Sequence, residues 1–279
     1  MPELPEVETV CRDLNRVLPG QVVLWVEVIR PQTVAYPDPA TFVQGITGKP
    51  FGQWRRRGKY LLGSLGDGSC LGIHLRMTGQ VLWLDPAEPL HRHTRVRWQC
   101  QDKECRFVDQ RTFGQVWWIP PGMPLEAVIP TLASLGPEPF DPAFSPAMMQ
   151  QRFQGSRRPI KTALLDQRVV AGLGNIYADE ALFLSGIHPL TPAGSLSLET
   201  LVRLHGVILE VLSRSIAERG TTFSTYRDVH GVNGNYQGQA WVYQRAGDPC
   251  RVCGTAVRRV IIAGRSSHFC PQCQGRGEP

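Results

Sequence analysis

Four cysteines near the end of the chain, Cys250, Cys253, Cys270 and Cys273, restrict the fold more than any other feature of the sequence. Two Cys-x2-Cys pairs separated by sixteen residues match the spacing of a tetrahedral four-cysteine zinc site. Such a lobe folds around its metal, so residues 241–279 are expected to form a zinc finger of their own. Between the pairs, residues 257–262 and 268–269 read as two strands joined at Ala263-Gly264-Arg265. Four thiolates close the coordination sphere, so the single expected zinc ion is structural and not catalytic. Arg265 at the hairpin tip, behind Arg258 and Arg259, is a candidate phosphate contact. The remaining cysteines, Cys11, Cys70, Cys100 and Cys105, are scattered through apolar or strand-like sequence and read as small buried hydrophobes.

Ahead of the finger the chain changes character twice. Residues 5–18 read as a helix, with Val7, Val10, Cys11, Leu14 and Val17 at helical spacing and Gly20 beyond the end. From about 21 to 118 the pattern is short strands broken by Gly, Pro and Asp, among them 22–29, 60–65, 70–75, 80–84, 95–99 and 106–108. This predicts a β-sandwich with a flanking helix over residues 1–120. Residues 120–146 hold eight prolines, so 121–145 is expected to be a hinge with one short helix near 125–135. Beyond it the pattern is helical, at 147–153, 160–165, 176–185 and 198–217, the last capped by Ser197. Residues 221–239 are polar, carry Gly231, Gly234 and Gly238, and lack periodicity; they read as a mobile loop within a helical domain spanning 146–240. The fold class is α+β.

Thirty Lys and Arg against 24 Asp and Glu give a formal net charge of +6, which favours a polyanionic partner. No apolar run approaches the ~18 residues of a membrane helix, and the acidic start lacks the regions of a signal peptide. A cytoplasmic, monomeric protein with reduced cysteines is the expectation. That start, Met1-Pro-Glu-Leu-Pro-Glu-Val-Glu8, allows two readings. Pro5 at the first helical position, with Glu6 and Glu8 behind it, makes an ordinary helix start. Alternatively, removal of Met1 turns Pro2 into a secondary amine of pKa roughly 8 that can attack an aldehyde-level carbon. Four further stretches carry potential chemistry: the basic run Arg55-Arg56-Arg57-Gly58-Lys59, the segments His74–Gly79 and Asp109–Gly114, and the Gly-rich turn Ala171–Ala178. The basic run is equally readable as a charged sheet edge. The Gly-rich turn opens a helix that can offer N–H groups to a phosphate, with Arg157, Arg158 and Lys161 upstream.

Pro2-Glu-Leu-Pro-Glu-Val-Glu8, Arg-Gly-Lys59-Tyr, His-Leu-Arg-Met77-Thr-Gly, Arg111-Thr-Phe113-Gly, Gly-Leu-Gly-Asn175-Ile-Tyr-Ala-Asp-Glu180 and the four-cysteine finger together resemble the bacterial formamidopyrimidine-DNA glycosylases. The matches run in register from residue 2 to residue 273. The resemblance implies a helix–two-turn–helix motif in the helical domain and an enzyme of base-excision repair. Such an enzyme removes oxidised purines from double-stranded DNA and then cuts the strand by β,δ-elimination. By the same resemblance Pro2 is the nucleophile, Glu3 the acid at the sugar ring oxygen, Lys59 and Arg265 assist elimination, and Glu6 completes the catalytic set. Met77, Arg111 and Phe113 would fill the gap left by the extruded nucleotide, and His91, Arg157, Lys161 and Asn175 would bind phosphates. The loop after Thr221 would close over the flipped base. An endonuclease VIII-like enzyme acting on pyrimidine lesions shares the terminal proline and glutamate, although the Leu-Pro-Glu-Val-Glu continuation favours the first branch. A non-catalytic damaged-DNA-binding protein of the same fold is the third reading. Three departures from the family pattern stand out: Thr112 where a second arginine is common, Arg219-Gly-Thr-Thr222 in place of a Gly-Gly start to the loop, and no lysine in Ser224-Thr225-Tyr226-Arg227.

Overall fold

In the computed structural model, which describes residues 1–222 and 226–275, the first apolar repeat forms helix α1 (Leu4–Val17). Val7, Val10 and Leu14 are wholly buried along one face, as i, i+3, i+7 spacing requires. The chain divides into two units, Met1–Ala133 with Ile216–Gln237, and Ser134–Ser215 with Gly238–Pro279. The division falls inside the expected proline-rich hinge, whose helical pieces among the described residues are α3 (Leu125–Val128) and a single 3-10 turn.

In the first unit α1 is followed by β1 (Trp25–Val28), β2 (Val34–Tyr36), α2 (Pro39–Ile46), β3 (Phe51–Arg57), β4 (Tyr60–Leu65), β5 (Cys70–His74), β6 (Gly79–Leu84), β7 (Thr94–Gln99), β8 (Glu104–Asp109) and β9 (Gln115–Ile119). These strands make a five-stranded sheet in the order β2-β9-β5-β4-β3 and a four-stranded sheet in the order β1-β7-β8-β6. Every pairing within these two sheets is antiparallel except that of β2 with β9. Side chains from both sheets and from α1 share one core, including Val10, Leu14, Trp54, Leu61, Ile73, Trp98 and Phe107. The expected β-sandwich with a flanking helix is present. Two expectations shift. The basic run leads into β4 through the Gly58-Lys59 turn, but its three arginines are themselves the end of β3, the edge of the sheet, where charge discourages pairing with another chain. The short α2 was not foreseen; Asp38 starts it by accepting the N–H groups of Ala40 and Thr41, both at 3.0 Å.

The second unit contains α4 (Pro146–Phe153), α5 (Ile160–Leu164), α6 (Asn175–Leu184) and α7 (Leu198–Ala217), followed by the hairpin of β10 (Arg258–Ile262) and β11 (Arg265–Phe269). The Ser197 hydroxyl accepts the Thr200 N–H at 3.2 Å and so caps α7. From Ile216 to Gln237 the chain groups with the first unit, so most of the loop lies there and not with the helical domain where the sequence reading put it. The reason is burial: Tyr226 and Val229 enter the sandwich core, and the Trp83 N–H donates to the Val229 carbonyl at 2.8 Å. Ser224 and Thr225 of that loop lie outside the described residues. No helix among the described residues is long and apolar enough to cross a membrane.

Candidate active site and nucleic-acid interface

Pro2 and Glu3 are buried at the head of α1, and Glu6 explains how they are held. One oxygen of Glu6 accepts the N–H of Glu3 at 2.7 Å, while the other accepts the N–H of Thr221 at 2.8 Å. Both oxygens of this expected catalytic residue thus hold backbone, one at the terminus and one in the loop. Gly220, at φ 81°, permits the approach: a Cβ there would lie 2.9 Å from Glu6 Cγ and Oε1. The Tyr226 hydroxyl adds a bond to the Glu6 carbonyl at 3.4 Å.

Lys59 sits in the two-residue turn between β3 and β4, where Gly58 has φ 56° and Arg57 faces Tyr60. Arg56 connects this turn to α1, since its Nε lies 2.9 Å from Glu8 Oε2 and its Nη1 donates to the Gly58 carbonyl at 3.0 Å. Burial works against the charge on Glu8, yet hydrogen bonds from Arg56 and Arg12 hold its carboxyl below the usual carboxylate range. On the adjoining strand His74 stands edge-on to Tyr60, with ring centroids 4.4 Å apart. Burial, with the charges of Arg76 and Lys59 behind it, brings the His74 imidazole down to about 3. Its Nδ1 accepts the Arg76 N–H at 3.0 Å, so the ring is neutral with its proton on Nε2. The sequence singled out the His74 segment but assigned this histidine no role.

Met77 and the pair Arg111 and Phe113 come from two loops, which a single buried carboxylate joins. Asp109 Oδ1 accepts the Thr78 hydroxyl at 2.5 Å and the Arg111 N–H at 3.2 Å; Oδ2 accepts the Gly114 N–H at 2.7 Å. The Arg111 N–H also meets Thr78 Oγ1 at 2.9 Å. Thr112, the departure from the family pattern, occupies the left-handed region at φ 58°. Phe113 is 53% exposed with the Arg111 guanidinium 5.0 Å from its ring centre. A large aromatic on a braced loop, open to solvent beside an arginine, is suited to stacking in a base-pair gap. His91 is exposed and lines a recess of this unit with His93, Arg227 and His230.

In the second unit α6 is the hub. Asn175 Nδ2 donates to the Ser266 carbonyl at 3.0 Å, the Asp179 carboxylate accepts the His268 N–H at 2.9 Å, and Glu180 accepts the N–H groups of Trp241, Val242 and Tyr243 at 2.8–3.0 Å. Three residues of one helix therefore fix the finger and the segment leading to it. Arg265 is exposed beside Ala263 and Gly264, whose positive φ values (48° and 76°) make the tight turn between β10 and β11. Arg157 is also exposed. Lys161 is not: its side chain is 1% exposed, its Nζ lies 2.6 Å from Asp179 Oδ1, and it donates to the Ser266 carbonyl at 2.7 Å. The residue expected to touch phosphate is a buried brace for the strand that begins at Arg265.

The Sγ atoms of Cys250, Cys253, Cys270 and Cys273 all lie within 4.8 Å of one another, with Cys253 and Cys270 at 3.4 Å and Cys250 and Cys273 at 3.9 Å. Zinc at ~2.3 Å from four thiolates in a tetrahedron sets sulfurs ~3.8 Å apart, so the donor set fits.

Comparison with known proteins agrees with this geometry. The formamidopyrimidine-DNA glycosylase N-terminal domain matches residues 1–116, the H2TH domain of the same enzymes matches 135–227, and a zinc finger found in FPG and IleRS matches 247–275. Curated formamidopyrimidine-DNA glycosylases of Thermosynechococcus vestitus and Rippkaea orientalis are 55% and 53% identical; each alignment covers 98% of this chain, and 97% and 100% of the respective relatives. The chain belongs to the formamidopyrimidine-DNA glycosylase family. Among solved structures, a point mutant of Lactococcus lactis FPG in complex with a Fapy-dG containing DNA superposes with a TM-score of 0.91 at 34% identity, over 99% of this chain and all of that one. The L. lactis enzyme with an abasic site containing DNA gives 0.90 at 34% identity, over 98% and 100%. The protein is therefore a DNA glycosylase of base-excision repair with a structural zinc finger, and DNA is its partner.

Proposed function

We propose that this glycosylase removes oxidised purines, 8-oxoguanine and formamidopyrimidines, and cleaves the resulting abasic strand through an imine on Pro2. The observation that carries the reading is the buried Pro2–Glu3 terminus, pinned by Glu6 at the head of α1. Once Met1 is removed, the Pro2 nitrogen carries a lone pair and attacks C1′ of the damaged nucleotide. The N-glycosidic bond breaks and the base leaves with its electron pair and a proton. Glu3 supplies a proton to the ring oxygen as the sugar opens, which leaves an iminium at C1′. Loss of a C2′ proton then expels the 3′-phosphate, and a second elimination expels the 5′-phosphate. Lys59 and Arg265 support these steps by holding the departing phosphates. The protein works as a monomer on duplex DNA, in the cytoplasm, with Phe113, Met77 and Arg111 in the gap and Arg157, His91 and Asn175 along the backbone.

Borohydride reduction in the presence of 8-oxoguanine duplex should yield a covalent protein–DNA adduct, absent when an N-terminal extension turns the Pro2 nitrogen into an amide, while intact mass of the unextended protein shows Met1 removed. No adduct with any oxidised base would reject the covalent mechanism and leave a damage-binding protein. Faster excision of thymine glycol than of 8-oxoguanine would move the substrate class to pyrimidine lesions.

A further inference from the structure

Immediately after α7 the backbone enters the left-handed region at Arg219 (φ 61°) and remains there at Gly220 (φ 81°). Glycine is favoured in that conformation, so an arginine there is held against a local preference. What holds it is two carboxylates. Its Nη2 lies 2.5 Å from Asp13 Oδ2 on α1 and 2.6 Å from Asp228 Oδ2, and its Nε donates to the same Asp228 oxygen at 3.2 Å. The carboxylates are 1% and 3% exposed, so solvent screens these contacts little on the acidic side.

Asp228 also organises the far limb of the loop. Its other oxygen accepts the N–H groups of His230 and Val232, each at 2.9 Å, which fixes the turn that leaves Val229 bonded to Trp83 of β6. On the near limb Thr221 is tied to Glu6, and the Thr222 hydroxyl donates to the Tyr226 carbonyl at 2.9 Å. Arg219 thus connects both limbs of one loop to the helix whose first turn follows Pro2 and Glu3. Glu6 ties the loop to the same helix by an independent route, its carboxylate accepting the Thr221 N–H and its carbonyl the Tyr226 hydroxyl.

We propose that Arg219 is a positioning residue for base excision: through Asp13 and Asp228 it holds the loop that receives the extruded base in register with helix α1. This rests on the function proposed above and deepens it. The arginine touches neither base nor sugar; it acts through the loop. Because an abasic site presents no base to that loop, the clamp matters for excision and not for strand cleavage at a site already lacking its base.

Arg219→Gly is the informative variant, since glycine accepts the same φ and Asp13 keeps Arg16 at 3.2 Å. Single-turnover excision of 8-oxoguanine from a duplex is expected to fall about tenfold in Arg219→Gly, in keeping with a modest misplacement of a bound group. Cleavage of a preformed abasic duplex by the same protein is expected to stay within about twofold of wild type. Arg219→Lys should recover most of the excision rate, and Arg219→Gly combined with Asp228→Asn should be no slower than the worse single variant, as for two members of one contact. Equal losses on both substrates, unchanged excision, or additive losses in the double variant would each overturn the assignment. If the wild type cleaves neither substrate, the catalytic reading fails first and is recognised by that control alone.

Discussion

His74 is the residue at which acid sensitivity should be most visible. Its imidazole is neutral in the folded chain and titrates at about 3, against about 6.5 when exposed. Between those values the unfolded chain binds a proton that the folded chain does not, so stability falls as pH drops below about 6.5 and stops falling near 3. At pH 5 the cost is about 2 kcal/mol, from roughly 1.4 kcal/mol per pH unit. His74→Gln, which keeps an acceptor for the Arg76 N–H, should flatten the dependence of urea midpoints on pH between 7 and 5; an unchanged slope would exclude His74 as its source. Pro2, Glu3 and Lys59, to which the proposed chemistry is assigned, and the four zinc-binding cysteines stand out in the sequence because short motifs name them. Arg219 and Asp228 were not, since Asp13 lies 206 residues from Arg219 in sequence and no local pattern announces the pairing. Lys161 misled in the opposite direction: a lysine after two arginines reads as surface charge, and only the packing of Asp179 against it shows that its ammonium is spoken for.

At the scale of elements, legibility followed periodicity. α7 matches its expected span because twenty residues sustain a helical repeat, with Leu201, Leu204, Ile208, Val211 and Leu212 buried. α2 escaped because it has only eight residues, begins with proline and contains Gly45, where a Cβ would lie 2.4 Å from the Trp118 ring. β3 escaped because an irregularity between Phe51 and Trp54 breaks the two-residue alternation. The proposed gap-filling device rests on two loops and one carboxylate. Asp109→Asn replaces an oxygen with a donor that faces existing donors, at a cost of about 2 kcal/mol. Its affinity for a duplex carrying a stable abasic analogue, measured by fluorescence anisotropy, should fall about tenfold, while borohydride trapping at saturating DNA persists. Unaltered affinity would separate Asp109 from the wedge. For the finger, Cys250→Ser or chelation of zinc should abolish DNA binding, because the tip carrying Arg265 has order only while the metal closes the lobe. Full affinity in the serine variant would contradict that.

Across the whole molecule, a net charge of +6 makes DNA affinity a matter of counterion release, and salt dependence can sort the arginines and lysines by what they face. Each side chain that neutralises a phosphate contributes about 0.9 to the slope of log affinity against log salt concentration. Arg157 and Arg265 are exposed and able to do so. Lys161 already has its counter-charge in Asp179, and an ammonium enclosed in protein releases no ion when DNA arrives. Arg265→Ala should therefore lower the slope by about 0.9 at an unchanged unfolding temperature. Lys161→Met should behave in reverse. It strands the Asp179 carboxylate, 0% exposed, without its ammonium, a change that costs about 3–5 kcal/mol in buried pairs. Titrations below the lowered unfolding temperature should find weaker binding with the wild-type slope, since the hairpin that presents Arg265 has lost one of its two bonds at the Ser266 carbonyl while the exposed arginines are untouched. A slope reduced by about one unit in Lys161→Met, with stability intact, would instead return this lysine to the DNA backbone, where the sequence alone had put it.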